Sequence, residues 1–144
     1  MIIKAISLYE PWATAMRLRL KRNETRPRST NYRGWLAIQS AKKVFDSSIY
    51  NPQWVSYVQA VMSTQLFPYG MITCIVQLDS CIPTRQYVVE ALDKHERQWG
   101  DYGPERYVLE TSRLIVLPSP VPCRGRNTML FDWELPKELE HLLG

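Results

Sequence analysis

The residues best suited to chemistry lie close together in the first third of the chain. Lys21, Glu24 and Arg26 follow one another at short spacings, and Lys42 and Lys43 end a nearby apolar segment. In an extended chain alternate residues point to the same face, so Glu24 and Arg26 would lie side by side. A carboxylate beside such cations can transfer protons or help to organise a phosphate site. The same charges could instead form an ion pair with a purely structural role.

Positive charge is concentrated in this part of the sequence. Residues 17–33 are rich in arginine and lysine and contain a single acid, Glu24, whereas most of the acids follow residue 79. The net charge of +4 and the pI near 9.0 fit an anionic partner. This asymmetry predicts one basic face and one acidic face.

Aromatic side chains are interleaved with the cations and could supply faces on which unstacked bases stack, worth about 1–3 kcal/mol per base. The candidates are Tyr32, Tyr69, Trp99 and Tyr102. Basic and aromatic side chains in combination are typical of proteins that bind single-stranded nucleic acid. The tryptophans Trp12, Trp35 and Trp54 follow helix or strand spacing and are predicted to lie in the core.

Arginines in the last third of the chain offer a further contact. Arg124 and Arg126 flank Gly125 in a predicted surface loop, where a guanidinium is either solvated or bound to a phosphate.

The sequence does not support several other kinds of functional site. The three cysteines form no C-x-x-C pair and there are only two histidines, so we expect neither a metal site nor a disulfide framework, and no cofactor. A catalytic Ser-His-Asp order and a glycine-rich phosphate loop are both lacking. No apolar run approaches the roughly 20 residues of a membrane span, and the first residues lack a secretory pattern. We therefore expect a cytoplasmic protein without a membrane partner.

The apolar pattern predicts the elements that hold these side chains. The length of 144 residues fits a single domain, residues 1–144. Helices are predicted from residue 11 to about 20, from 51 to 63 and from 84 to 98, with a short acidic helix after residue 136. Strands are predicted at 2–7, 23–27, 35–40, 71–80, 106–110 and 112–117, with a last strand near the end and an extended proline connector at 118–122. This mixture predicts an α+β fold, a mixed β-barrel with about three peripheral helices.

The order of these motifs resembles the ASCH domain, a member of the PUA-like β-barrel superfamily. The resemblance is carried by Pro11-Trp12-Ala13, Lys21-x-x-Glu24-x-Arg26, Tyr32-Arg33-Gly34 and an apolar strand ending in Ala41-Lys42-Lys43. It continues more weakly over nearly the whole chain. The resemblance implies one ASCH domain with a PUA-like pseudo-barrel, and a cleft where the residues between 21 and 42 converge.

The resemblance and the charge asymmetry together predict a protein that binds RNA or single-stranded nucleic acid through this basic cleft, in RNA processing or transcription-linked regulation. The sequence leaves the oligomeric state open, with a monomer favoured. The expected contacts to nucleic acid are Lys21, Arg26, Tyr32, Arg33, Lys42, Lys43, Tyr69, Tyr102 and Arg124.

An enzyme is the first alternative. Some ASCH proteins are amidohydrolases of acetylated cytidine that use a lysine, a threonine and a glutamate, and here the lysine maps to Lys21 while Glu24 stands at the threonine position. A ribonuclease would use Glu24 as the base and Lys21 with Arg26 beside the phosphate. If the chain is an enzyme, Lys21 and Glu24 are its catalytic residues.

Two further departures from the family pattern are Gln39, where many relatives carry histidine, and Arg19, where they carry glycine. Arg19 must then close a helix end without the freedom of glycine. A protein-interaction module is the other alternative, with the contact at Glu138 and Glu140 or on the 84–98 face.

Overall fold

The protein is described by a computed structural model for residues 1–87 and 89–144. The strands are β1 (Ile2–Leu8), β2 (Asn23–Arg26), β3 (Gly34–Ser40), β4 (Met71–Pro83), β5 (Tyr107–Pro122) and β6 (Phe131–Glu134). The α-helices are α1 (Trp12–Arg17), α2 (Pro52–Met62) and α3 (Lys94–Trp99). Turns of 3-10 helix occupy Ser47–Ile49, Thr84–Gln86, Val89–Ala91 and Lys137–Leu143.

All of these strands belong to one six-stranded sheet in the order β2-β5-β4-β3-β1-β6. Only β1 and β3 are parallel, and the other neighbours are antiparallel. The predicted α+β class is therefore confirmed as a mixed sheet with a few helices. Among the described residues the edge strands β2 and β6 do not pair with each other, so the sheet is not closed.

Both faces of the sheet are covered by apolar side chains. Along β1, Ile6 and Leu8 belong to the core cluster that includes Met16 of α1. The residues Ile3 and Ala5 belong to a second cluster, which reaches the 3-10 segment at the end of the chain. This alternation follows from the two-residue period of a strand.

Helix α1 is shorter than predicted. It ends at Arg17 rather than near residue 20, and Leu18 is its C-cap. Arg19 then takes a left-handed backbone with φ of 60°, which an α-helix cannot continue. The expectation that Arg19 closes this helix end without being glycine is confirmed. By contrast, α2 begins as predicted, because the Asn51 side chain accepts a hydrogen bond from the backbone N–H of Gln53.

The predicted helix over 84–98 was wrong. Its first part forms two 3-10 turns, and α3 begins only after Asp93, whose carboxylate accepts from the Glu96 N–H at 2.8 Å. On a single helix over 84–98, Ala91 would belong to the apolar side and Glu96 to the charged side, but Ala91 is exposed and Glu96 is buried. Val88 lies outside the described residues. The capping aspartate, placed in the middle of the periodic stretch, starts a new helix there.

The predicted break near residue 111 and the proline connector are also wrong, because β5 is one continuous strand through Pro122. Strand β2 pairs only with the first part of β5, Tyr107 to Glu110. The prolines come later in β5, where no strand on that side requires a backbone N–H donor. Register shifts between β4 and β5 bend this long pair.

No helix within the described ranges is both long enough and apolar enough to cross a bilayer.

Candidate functional site

A large open cavity of about 1210 Å³ lies where β1, β2 and β3 meet the segment that follows β5. Cationic, aromatic and acidic side chains share its wall. The cations are Arg26, Lys42, Arg106, Arg124 and Arg126, the aromatic residues are Tyr9, Trp12, Tyr50 and Trp99, and the acids are Glu24 and Asp101. The cavity is therefore a site of mixed charge with an excess of cations.

A row of three ionic side chains lies at one side of this cavity. Lys21 is completely buried, and its Nζ lies 2.9 Å from Glu24 Oε1 and donates to the carbonyl of Asn23. Glu24 Oε2 lies 2.7 Å from Arg26 Nε, and Arg26 Nη2 donates to the Ser7 carbonyl at 2.8 Å. The prediction that Glu24 and Arg26 share one face of an extended strand is confirmed.

Glu24 is ionised in this environment. Burial by itself raises the pKa of a carboxyl, but the nearby charges and hydrogen bonds of Lys21 and Arg26 outweigh it and hold the pKa of Glu24 below its ordinary value. A carboxylate with both oxygens paired to cations is a weak base. Its chemical effect is to fix the positions of Lys21 and Arg26.

The remaining cations fall into two groups. Arg106 is already engaged, since its Nε lies 3.6 Å from Asp101 Oδ2 and its Nη2 donates to the Thr25 carbonyl at 3.0 Å. Lys42, Arg124 and Arg126 have no ion pair with any described residue. These three side chains are the ones available to an anionic ligand.

Aromatic side chains form another part of the wall. Trp12 stacks on Trp54 with ring centroids 5.2 Å apart, and Tyr50 meets the Trp12 ring edge-on at 5.6 Å. Trp12, predicted to be core, is only half-buried and borders the cavity. Tyr9 is 56% exposed, and Lys43 Nζ lies 5.2 Å from its ring centroid. Lys43 therefore lies next to a residue of the cavity wall without being part of the wall itself.

Besides Lys21 and Lys43, four of the predicted nucleic-acid contacts do not line the cavity. The Tyr32 hydroxyl donates to the Trp35 carbonyl at 2.6 Å, and Arg33 donates to the carbonyls of Thr30 and Tyr32.

The other two of these four are Tyr69 and Tyr102. The Tyr69 hydroxyl accepts from the Phe45 N–H at 2.9 Å. The Tyr102 ring stacks on Tyr87. Burial raises the pKa of Tyr102. The structure thus brings together Glu24, Arg26, Lys42 and Arg124, with Lys21 behind them, and places Tyr32, Arg33, Tyr69 and Tyr102 elsewhere.

The cavity wall also contains three residues that were not predicted to lie there: Tyr9, Tyr50 and Arg106. Tyr9 directly follows β1 and precedes the Pro-Trp motif, which was an available signal. The other two reach the cavity only through tertiary packing. Trp99, a predicted stacking platform, is almost fully buried and donates to the Tyr57 hydroxyl at 3.2 Å, so it is part of the cavity wall instead.

No group of three or more His, Cys, Asp or Glu side chains in the described ranges is arranged to hold a metal ion.

No protein-family model matches this sequence, and no curated protein matches it. The resemblance to the ASCH domain therefore rests on the motifs themselves.

Proposed function

We propose that this chain is an ASCH domain of PUA-like architecture that binds RNA or another single-stranded nucleic acid through the cavity. One observation carries the proposal: cations without ion-pair partners among the described residues, Lys42, Arg124 and Arg126, share a cavity with the aromatic rings of Trp12 and Tyr50. Phosphate contact and base stacking are the two interactions that a single strand offers.

The size of the cavity agrees with this ligand. At about 1210 Å³ it exceeds the roughly 300–1,000 Å³ typical of sites for small molecules. An open cavity of this size can admit a nucleotide together with part of its neighbours.

The ionic row around Glu24 has a positioning role in this proposal. Glu24 pairs with both Lys21 and Arg26, so one of their two positive charges is compensated and their donors are largely engaged within the row. Arg26 in turn joins β2 to the end of β1 at Ser7. The row thereby holds two strands in the positions that shape the cavity wall.

The test is fluorescence anisotropy of a labelled single-stranded RNA at increasing salt, for the wild type and an Arg124→Ala, Arg126→Ala double variant. On a plot of log binding constant against log salt concentration, each phosphate neutralised on a single strand contributes a slope of roughly −0.7. The double variant should therefore bind more weakly, and its slope should be shallower than that of the wild type by roughly 1.4.

The matched control is an Arg85→Ala, Lys137→Ala double variant. It removes the same charge from two exposed side chains outside the cavity. We expect it to retain nearly all of the wild-type affinity and slope. Equal losses in the two double variants would show only a general effect of net charge and would contradict binding at the cavity.

Hydrolysis of RNA or of a modified nucleoside is a second candidate, and the burial of Lys21 favours it. Removing an ammonium from water is costly, and such ion pairs are often found at functional sites. Against it, the lowered pKa of Glu24 makes this carboxylate a poor general base near neutral pH.

The two candidates separate in a turnover assay. If Glu24 is catalytic, purified protein cleaves a labelled RNA or hydrolyses the nucleoside, and Glu24→Gln abolishes turnover while circular dichroism shows an intact fold. Salt-dependent binding without any turnover would support the binding function and contradict hydrolysis.

A further inference from the structure

Two buried polar atoms in the cavity wall have no hydrogen-bond partner: Ser7 Oγ and Gln39 Oε1. The two residues face each other across the parallel pair of β1 and β3, and both border the cavity. Gln39 is completely buried. Buried polar atoms in proteins are nearly always satisfied, so two orphans side by side in one cavity mark a position where a bound polar group would gain hydrogen bonds.

Hydrogen bonds fix what each atom can accept or donate. Gln39 Nε2 donates to the Cys123 carbonyl at 2.9 Å, which leaves Oε1 as a pure acceptor aimed away from that bond. The Ser7 carbonyl is held by Arg26, so its hydroxyl can rotate but its backbone is fixed. A complementary ligand must place a donor at Gln39 and can offer either a donor or an acceptor at Ser7.

The backbone of Gly125 covers both atoms. A Cβ at this position would lie 2.6 Å from Gln39 Oε1 and 2.7 Å from Ser7 Oγ, so both orphans lie close to one point and a side chain at residue 125 would have to displace them. The neighbours of Gly125 are Arg124 and Arg126, the candidate phosphate contacts. A ligand that draws this segment outward would uncover the two atoms beneath it.

We propose that Ser7 and Gln39 form a base-reading subsite for an amino-bearing base edge, that of cytosine or adenine. The exocyclic amino group donates to Gln39 Oε1, and the adjacent ring nitrogen accepts from the Ser7 hydroxyl. Uracil presents a carbonyl oxygen at the amino position, which would place two acceptors against each other. This inference rests on the proposed function, because the phosphates are held at Arg124 and Arg126.

The experiment compares labelled oligocytidylate and oligouridylate of equal length by anisotropy at one salt concentration. The two probes carry the same phosphates and differ at the base edge. We expect the wild type to bind the cytidine oligomer at least about fivefold more tightly, in the range of a paired base contact. Gln39→Leu should bring the ratio of affinities close to one. Ser7→Ala should lower the ratio without abolishing it, because the cytosine ring nitrogen loses its partner while Gln39 still distinguishes the two bases. Neither variant should change the salt slope.

Thermal unfolding of the same variants supplies a second readout. Ser7→Ala removes a hydroxyl that has no partner, so we expect the melting temperature to stay the same or rise while selectivity decreases. Gln39→Leu gives up the bond to Cys123, and Ser7→Ala therefore decides the case if the glutamine variant unfolds.

The outcomes separate this inference from the function on which it rests. Salt-dependent binding of both oligomers with equal affinity would overturn the base-reading subsite and leave nucleic-acid binding standing. An unchanged affinity ratio in Ser7→Ala would overturn it as well. If neither oligomer binds at any salt concentration, the proposed function itself fails.

Discussion

Glu10 is a buried carboxyl group without a cation bound to it. Its Oε1 accepts from the Thr14 N–H at 3.0 Å and its Oε2 accepts from the Ser40 hydroxyl at 2.6 Å. Burial raises the pKa of Glu10 above its ordinary value of 4.5, and the hydrogen bonds from Ser40 and Thr14 offset this only in part. The folded protein therefore holds this proton more tightly than the unfolded chain.

We expect Glu10→Gln to be tolerated best at neutral pH. Because the folded pKa is raised, the contribution of Glu10 to stability is fully present below about pH 4.5 and is lost as the pH rises through the folded value. The free energy of unfolding of the variant, relative to wild type, should then increase from pH 4 to pH 7 in urea titrations.

The exposed Glu138→Gln change serves as the control for Glu10 and should show little of this trend. A relative stability of Glu10→Gln that does not change with pH would contradict the assignment.

Glu24 has the opposite pH dependence. Its lowered pKa means that its stabilising effect is present above its ordinary value of 4.5 and is lost as the pH falls through the folded value. Glu24→Gln leaves the buried Lys21 ammonium without its counter-charge, so we expect a loss of about 3 kcal/mol at pH 7 that shrinks toward acid pH. Chemical denaturation at several pH values measures both effects.

The control for Glu24 is Asp132→Asn, which removes the exposed ion pair between Lys4 and Asp132. Surface pairs contribute at most about 1 kcal/mol. If the two variants lost equal stability, the burial of the Lys21 pair would not matter energetically.

At the scale of elements, the end of α1 depends on one backbone conformation. Arg19 has φ of 60°, and its guanidinium donates to Thr111 Oγ1 at 3.1 Å. Arg19→Gly and Arg19→Ala both remove this contact, but only glycine adopts the left-handed backbone without steric cost. We expect Arg19→Gly to be about 1 kcal/mol more stable than Arg19→Ala in denaturant unfolding. Equal stabilities would show that the backbone at residue 19 relaxes in Arg19→Ala and avoids the steric cost.

Elements with strong local signals could be predicted from the sequence, and elements set by tertiary contacts could not. The Asn51-Pro52 start of α2 and the period-two pairing of Glu24 with Arg26 are local properties of the chain. Over residues 84–98, helical spacing favoured one helix, yet the carboxylate of Glu96 accepts from the N–H of Arg22 at 2.7 Å. That contact across the fold turns Glu96 inward, and no local pattern encodes it.

At the scale of the molecule, the sequence indicated the mixture of strands and helices but not the strand order. The cavity depends on that order, since β1 and β3 must lie side by side to bring Ser7 opposite Gln39. The cavity also depends on the segment after β5, which lies over β1 and β3. This places Arg124 beside residues more than eighty positions earlier in the chain. Cations in the 21–43 stretch were visible in the sequence, but their division into paired and available groups was not.

The prolines of β5 have a consequence for how copies of this protein meet. Beyond Glu110 no described strand pairs with the outer side of β5, and residues two apart direct their N–H groups to the same side. Pro118, Pro120 and Pro122 have no N–H to donate, so the 118–122 part of this border offers few donors and is poorly suited to extension of the sheet by a second chain. Replacing Pro118 and Pro120 with threonine should permit self-association, seen as a mass that rises with concentration in light scattering. A variant whose mass does not rise with concentration would show that these prolines do not decide whether the border stays unpaired.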